Sequence, residues 1–435
     1  MNREKLILKN VSLSFVFKIL NMGIVYFTIP FLLEYLGKTN YGIWVTIFSV
    51  VNILFFVDAG IANGLKTKLT EALSKKNNKL AKEYISTAYI SIFFISLTFL
   101  VFGIILIRNI NLSSLLNVGN SITSKELASV FLIALFFIVS NFILSLYKTL
   151  FYATQKSSYV EFSMFLYQVF VFVLVYFAVN NLQSSILNVA YFYGVSNVII
   201  SLAFNFIFFK NNKQISPSIK FFKRNKVKDL MGLSLGFFVI QICMIIIFTT
   251  DNLIISNLLG PDEVTGYDIV LKLFQIITIL SIVMLEPFWA LFTDAFQKKD
   301  INWIKKTLIK LNKIFVLVLI GTFLLVIFVE DIISIWIGES FNIANKLPYF
   351  MGIFVLIRVY PVMYMFFLNA VGKIKLQVYL YTIGALINIP LSIFFIKYFN
   401  LGVNGVILGT ICSIFSMTFL LPYQTIKILT KNERN

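Results

Sequence analysis

The chain of 435 residues is 59% hydrophobic and 13% charged, about half the charged share of a soluble domain, and apolar runs of 18 or more residues recur along it. This composition excludes a soluble globular protein and defines a polytopic membrane protein. With no histidine the chain lacks the commonest general base and metal ligand, which removes most hydrolase and zinc-site chemistry, and no metal site is expected.

The first apolar run follows Arg3, Lys5 and Lys9 and covers Val11 to Leu33; it is too long for a signal-peptide core and lacks a small-residue cleavage site, so it reads as a retained helix. Further spans are expected at Tyr41 to Leu65, Tyr84 to Ile107, Leu127 to Phe151, Tyr159 to Val179 and Val189 to Phe209. A polar stretch from Lys210 to Asp229 intervenes. The second set covers Leu230 to Ile255, Tyr267 to Phe292, Ile314 to Val329, Tyr349 to Val371, Leu376 to Ile396 and Val403 to Ile426. The fold class is therefore all-α, with twelve transmembrane helices in two pseudo-symmetric six-helix bundles around a central cavity. The expected division is an N-terminal lobe over 1–210, a cytoplasmic linker over 211–228 and a C-terminal lobe over 229–435.

Internal repetition supports the two lobes. Leu36, Gly37, Ala72, Lys75 and Lys82 return as Leu259, Gly260, Ala295, Lys298 and Lys305, each 223 positions later. Weak repetition of this kind marks two-lobed transporters.

If the spans alternate, one side of the membrane holds 29 of the Lys and Arg residues and the other holds only Lys38, Arg108, Lys125, Lys346 and Lys397. By the positive-inside rule both termini are cytoplasmic, and the split supports an even span count. The net charge of +18 is thus a matter of topology rather than of nucleic-acid binding, and anionic membrane lipids are the expected partners of the basic loops. Cys243 and Cys412 both lie in apolar spans and imply no disulfide framework.

No loop is large enough for a catalytic domain and none carries a Gly-rich phosphate cradle, which argues against an ATP-driven pump. A membrane-embedded polysaccharide polymerase is the enzyme-class alternative. The outer-loop acids Glu330, Asp331 and Glu339 read more simply as solvated loop charges.

Charges within spans are costly and usually face an interior cavity. Lys18, Lys272 and Arg358 are the cations of this kind, and Asp58, Asp251, Asp268 and Glu286 the anions. Alternatives stand beside several of them. Asp268 and Lys272 are four apart and share a helical face on which they can neutralise one another. Lys18 can snorkel to the interface, and Asp58 can cap a short helix. Arg358 lies mid-span and is followed by Pro361, which permits a kink.

Several motifs carry a family likeness: Tyr35 to Trp44, Asp58 to Gly64, Thr250 to Ile255, Leu259-Gly260-Pro261, Gly266-Tyr267 and Asn369 to Lys375, with a fainter counterpart of the last at Tyr152 to Lys156. Together they resemble the Wzx-type polysaccharide (O-antigen) flippases of the multidrug/oligosaccharidyl-lipid/polysaccharide exporter superfamily. The resemblance implies a non-enzymatic transporter of the bacterial inner membrane. It would move a polyprenyl-pyrophosphate-linked oligosaccharide outward by alternating access, coupled to an H+ or Na+ gradient, without other cofactors and beside polysaccharide polymerase machinery. On this reading Lys18, Lys272 and Arg358 attract the pyrophosphate, while Asp58, Asp251 and Glu286 couple ion binding to movement. Drug or cation efflux within the same superfamily is the alternative transport function.

Overall fold

The computed structural model describes residues 3–55, 61–119, 121–231, 235–285, 288–338 and 343–433. Nearly all of them are helical, and no strand occurs among them. The chain divides into two compact units, 1–238 and 239–435.

In the first unit the helices are α1 (Arg3–Phe55), α2 (Ile61–Ser74), α3 (Asn78–Asn109), α4 (Leu112–Leu116), α5 (Ser124–Leu144), α6 (Leu146–Ala153), α7 (Ser157–Asn181), α8 (Ile186–Asn211) and α9 (Arg224–Met231). Helix α10 (Leu235–Thr249) crosses into the second unit, followed by α11 (Asp251–Leu259), α12 (Pro261–Leu285), α13 (Phe288–Gln297), α14 (Ile301–Ile327), α15 (Val329–Ile337), α16 (Leu347–Ala370), α17 (Lys375–Phe399), α18 (Val403–Phe415) and α19 (Met417–Glu433).

Among the described residues eleven stretches are long and apolar enough to cross a bilayer, and the first, Ser12–Val51, has 40 residues. At about 1.5 Å per residue it is twice a hydrocarbon thickness. It contains one backbone break, at Gly37 (φ 72°, ψ 169°), so it is two spans, and the total agrees with the twelve expected. That combination of angles is open essentially to glycine alone.

The repeat extends to backbone detail. Gly260, 223 positions after Gly37, has nearly the same conformation (φ 101°, ψ 161°) between α11 and α12. Pro261 then opens α12, where its missing N–H costs nothing, and Asp262 and Glu263 complement the helix N-terminus. The corner after α2 turns through left-handed Lys76, and the corner after α13 through left-handed Lys299. At both, the amide three residues beyond the helix reaches back to an alanine carbonyl, Asn77 to Ala72 (3.0 Å) and Asp300 to Ala295 (2.9 Å). Asn77 then caps α3 through the amide of Leu80, and Asp300 caps α14 through that of Trp303. Even the surface ion pairs recur, Glu71–Lys75 and Asp294–Lys298, each at 2.7 Å.

The polar stretch after α8 is docked on the first unit. The amides of Ser218 and Lys223 donate to the hydroxyls of Ser86 and Thr87 on α3. The hydroxyl of Tyr84 donates to Asp229 and accepts from Lys226, both at 3.3 Å. A Cβ on Gly64 would lie 1.9 Å from the carbonyl oxygen of Leu230, so α2 and α9 approach closely only because residue 64 has no side chain. Leu230 thus belongs to this docked segment.

In the second unit α16 is the central helix, packing against α12, α13, α14, α18 and α19. Small residues let α17 and α18 meet closely: a Cβ on Gly409 would lie 2.4 Å from Ser392 Oγ, and one on Gly384 2.8 Å from the Ser413 carbonyl oxygen. Small-residue packing of this kind is what holds helices together where the surroundings are as apolar as leucine.

Candidate functional site

The span Phe238–Leu259 is locally perturbed at Thr250, between α10 and α11. Thr249 and Thr250 both turn their hydroxyls back onto carbonyls of the preceding turn, those of Ile245 (2.6 Å) and Ile246 (2.7 Å). Such back-bonding bends helices. Here α10 passes into α11 through Thr250, whose backbone stays helical (φ −76°, ψ −15°), and Asp251 follows it within the span.

Asp251 is 5% exposed. Its carboxylate accepts from the Tyr267 hydroxyl (2.7 Å) on α12 and from the Thr410 hydroxyl (3.2 and 3.3 Å) on α18. Asn388 on α17 donates to the Thr410 oxygen (3.1 Å), while its own carbonyl oxygen has no hydrogen-bond partner. Four helices therefore converge on an oxygen-rich cluster, and the close α17–α18 packing sets its width. The Tyr267 and Thr410 hydroxyls both donate to the carboxylate, and the Tyr267 oxygen also has lone pairs that can accept.

Arg358 lies on α16 one turn before Pro361. Its guanidinium stacks over the ring of Phe248 at 4.1 Å and also lies 5.6 Å from that of Phe354. A cavity of about 10 Å³ beside it is lined by Phe248, Pro361, Met365 and Tyr381. That is room for about one water, so a larger anion reaches Arg358 only from its accessible side. No carboxylate pairs with Arg358 among the described residues. A partly buried cation held by aromatic faces alone keeps its hydrogen-bond donors for another acceptor.

Lys272 on α12 is paired with Asp268, four residues before it on the same face, at 2.5 Å; Asp268 is buried and Lys272 is about a quarter exposed. This is the mutual neutralisation that their spacing allows. Lys18 lies on α1 in the other unit and is half-buried. Asp58 and Glu286 lie outside the described residues. Among the described residues no group of three His, Cys, Asp or Glu side chains could hold a metal ion.

The intramembrane charges are legible in the sequence, but their partners are not. Phe248, Tyr381, Thr410 and Asn388 carry no charge to mark them. Tyr267, in the Gly266-Tyr267 motif, gives no sign of pairing with Asp251. The Thr249-Thr250 doublet ahead of Asp251 is the one local signal of a perturbed helix.

A twelve-span, two-unit helical membrane protein with a duplicated backbone and buried charge in its second half is built as a transporter. Comparison with known proteins agrees. Residues 7–288 match the model of the polysaccharide biosynthesis protein family, and residues 237–394 match the MatE family. The chain belongs to the polysaccharide biosynthesis protein family. It is 26% identical over 419 residues to a protein named as an O-antigen transporter in Salmonella typhimurium, covering 93% of this chain and 92% of that protein. An O-antigen export protein of Yersinia pseudotuberculosis is 22% identical over 213 residues, covering 46% of each. In fold the chain is similar to a multidrug resistance MATE family transporter solved in an inward-facing conformation, with a TM-score of 0.78 at 15% identity over 96% of this chain and 95% of that one. A superfamily transporter from Pyrococcus furiosus aligns with a TM-score of 0.67 at 14% identity over 98% of this chain and 97% of that one.

Proposed function

We propose that the protein moves a polyprenyl-pyrophosphate-linked oligosaccharide across the bacterial inner membrane by alternating access, with both termini cytoplasmic and an ion gradient as the driving force. The observation that carries this reading is Arg358: a guanidinium within a span, braced on Phe248, with no carboxylate to neutralise it among the described residues. A planar fork of donors suits a phosphate, which accepts two parallel hydrogen bonds. The polyprenyl tail stays in lipid while the headgroup engages the cation. Asp251 is the coupling group of the second unit, its hydroxyl and amide neighbours being able to serve either a proton or a small hard cation. Lys272, tied to Asp268, contributes as a pair rather than as a lone cation.

Drug or cation efflux, the other function known on this fold, calls for an anionic binding surface; the isolated cation at position 358 weighs against it.

The test is glycan export in cells lacking the native gene. Arg358→Ala is expected to cut export about 10- to 100-fold, the worth of a charge-assisted phosphate contact. The protein should remain in the membrane, and lipid-linked glycan should accumulate in the inner leaflet. Export at the wild-type level would remove Arg358 from the site.

A further inference from the structure

The second unit carries a groove of about 870 Å³ far from Arg358's small cavity in size and character, lined by α14 and α16. Its floor and walls include Val326 and Ile353, and Gly352 keeps it narrow: a Cβ there would lie 2.8 Å from Val326. It sits at the end of α14 remote from the basic corner at Lys298 and Lys299, and therefore, by the charge bias of the loops, toward the outer leaflet.

Three polar features lie along it. Glu330 and Lys346, both exposed, lie at its mouth, and no ion pair engages either among the described residues. Deeper in, Thr322 is 2% exposed and its hydroxyl has no hydrogen-bond partner. Thr322 lies five residues before the end of α14, about 8 Å along the helix at 1.5 Å per residue. A buried hydroxyl within a span ordinarily turns to a carbonyl of its own helix, as Thr249 and Thr250 do; this one does not.

From this arrangement we infer that the groove is a binding site for a zwitterionic aminophospholipid. The phosphate meets Lys346, the ammonium meets Glu330, an ester carbonyl accepts from Thr322, and the hydrocarbon fills the trough. Thr322 lies further into α14 than either charge, as the glycerol esters lie below a phospholipid headgroup. A polyprenyl phosphate has no ester carbonyl to offer Thr322 and no amine for Glu330. The site is independent of the transport reading above and distinct from the attraction of anionic lipids to the basic loops.

The test is native mass spectrometry of the purified full chain offered phosphatidylethanolamine, phosphatidylglycerol and polyprenyl phosphate in equal amounts. One phosphatidylethanolamine per chain is expected to be retained preferentially. Glu330→Gln and Thr322→Val should each lower its retention about tenfold. Ile353→Trp, which fills the trough, should abolish it, whereas Leu317→Trp, on an exposed position of α14 away from the groove, should leave it unchanged. Thr322→Val changes shape so little that the result does not depend on whether the tryptophan variant folds. Equal retention of all three lipids, retention indifferent to Thr322 and Glu330, or displacement of phosphatidylethanolamine by polyprenyl phosphate would each overturn the assignment.

Discussion

At Arg358 the physical question is what keeps a guanidinium in a span with no carboxylate paired to it among the described residues. Stacking on Phe248 at 4.1 Å supplies part of the answer, at roughly 0.5–2 kcal/mol. On the proposed function the rest comes from the substrate's diphosphate. Arg358→Lys keeps the charge but loses both the flat stack and the forked donors, so it should retain only a small fraction of export, while Phe248→Leu should weaken export less than Arg358→Ala; glycan at the cell surface measures both. At Asp251 the neighbours are hydroxyls rather than cations, so Asp251→Asn should leave the protein folded and abolish the gradient dependence of flux, whereas wild-type dependence would exclude coupling through this residue. Both charges could be picked out from the sequence because charge in an apolar run stands out. Thr410 could not: it lies 159 positions from Asp251 and carries nothing to single it out until α11 and α18 are packed together.

Among the elements, the duplicated corners show how much backbone a repeat can conserve when few side chains match. Gly37 and Gly260 adopt the same glycine-only conformation, and Gly260→Ala should cost about 1–3 kcal/mol in thermal unfolding. By contrast Gly321, inside α14 with no neighbour close to its Cβ position, should gain about 0.5–1 kcal/mol as Ala. The docked linker is held in part by Lys226. Burial pushes its ammonium down, but the Tyr84 and Asp229 oxygens outweigh this and hold it above its ordinary range. A raised lysine contributes its stability fully below the unfolded value, about 10.4, and loses it as pH rises through the folded one. Lys226→Ala is therefore expected to speed tryptic cleavage of the linker at neutral pH, and raising the pH should narrow the difference from wild type. The span positions were readable from hydropathy, but the docking of Leu230 was not, because it is as apolar as a membrane residue and is covered instead by α2 and α3.

For the whole molecule, composition, charge bias and the 223-residue offset were enough to state a duplicated twelve-span protein, and the break at Gly37 resolves the 40-residue first stretch into two of those spans. Family likeness extends over most of the chain, and the fold is shared with transporters of very different cargo, so cargo must be argued from the site rather than from the fold. The central claim is that a lone cation within the second unit receives the diphosphate of a lipid-linked glycan. Reconstitution into vesicles tests it most directly, with labelled polyprenyl-pyrophosphate-oligosaccharide in one leaflet, an imposed H+ or Na+ gradient, and appearance of the glycan in the other leaflet as the readout. The account predicts gradient-dependent transfer by the wild type and a 10- to 100-fold slower transfer by Arg358→Ala, about 1.5–3 kcal/mol; transfer by Arg358→Ala at the wild-type rate would contradict it.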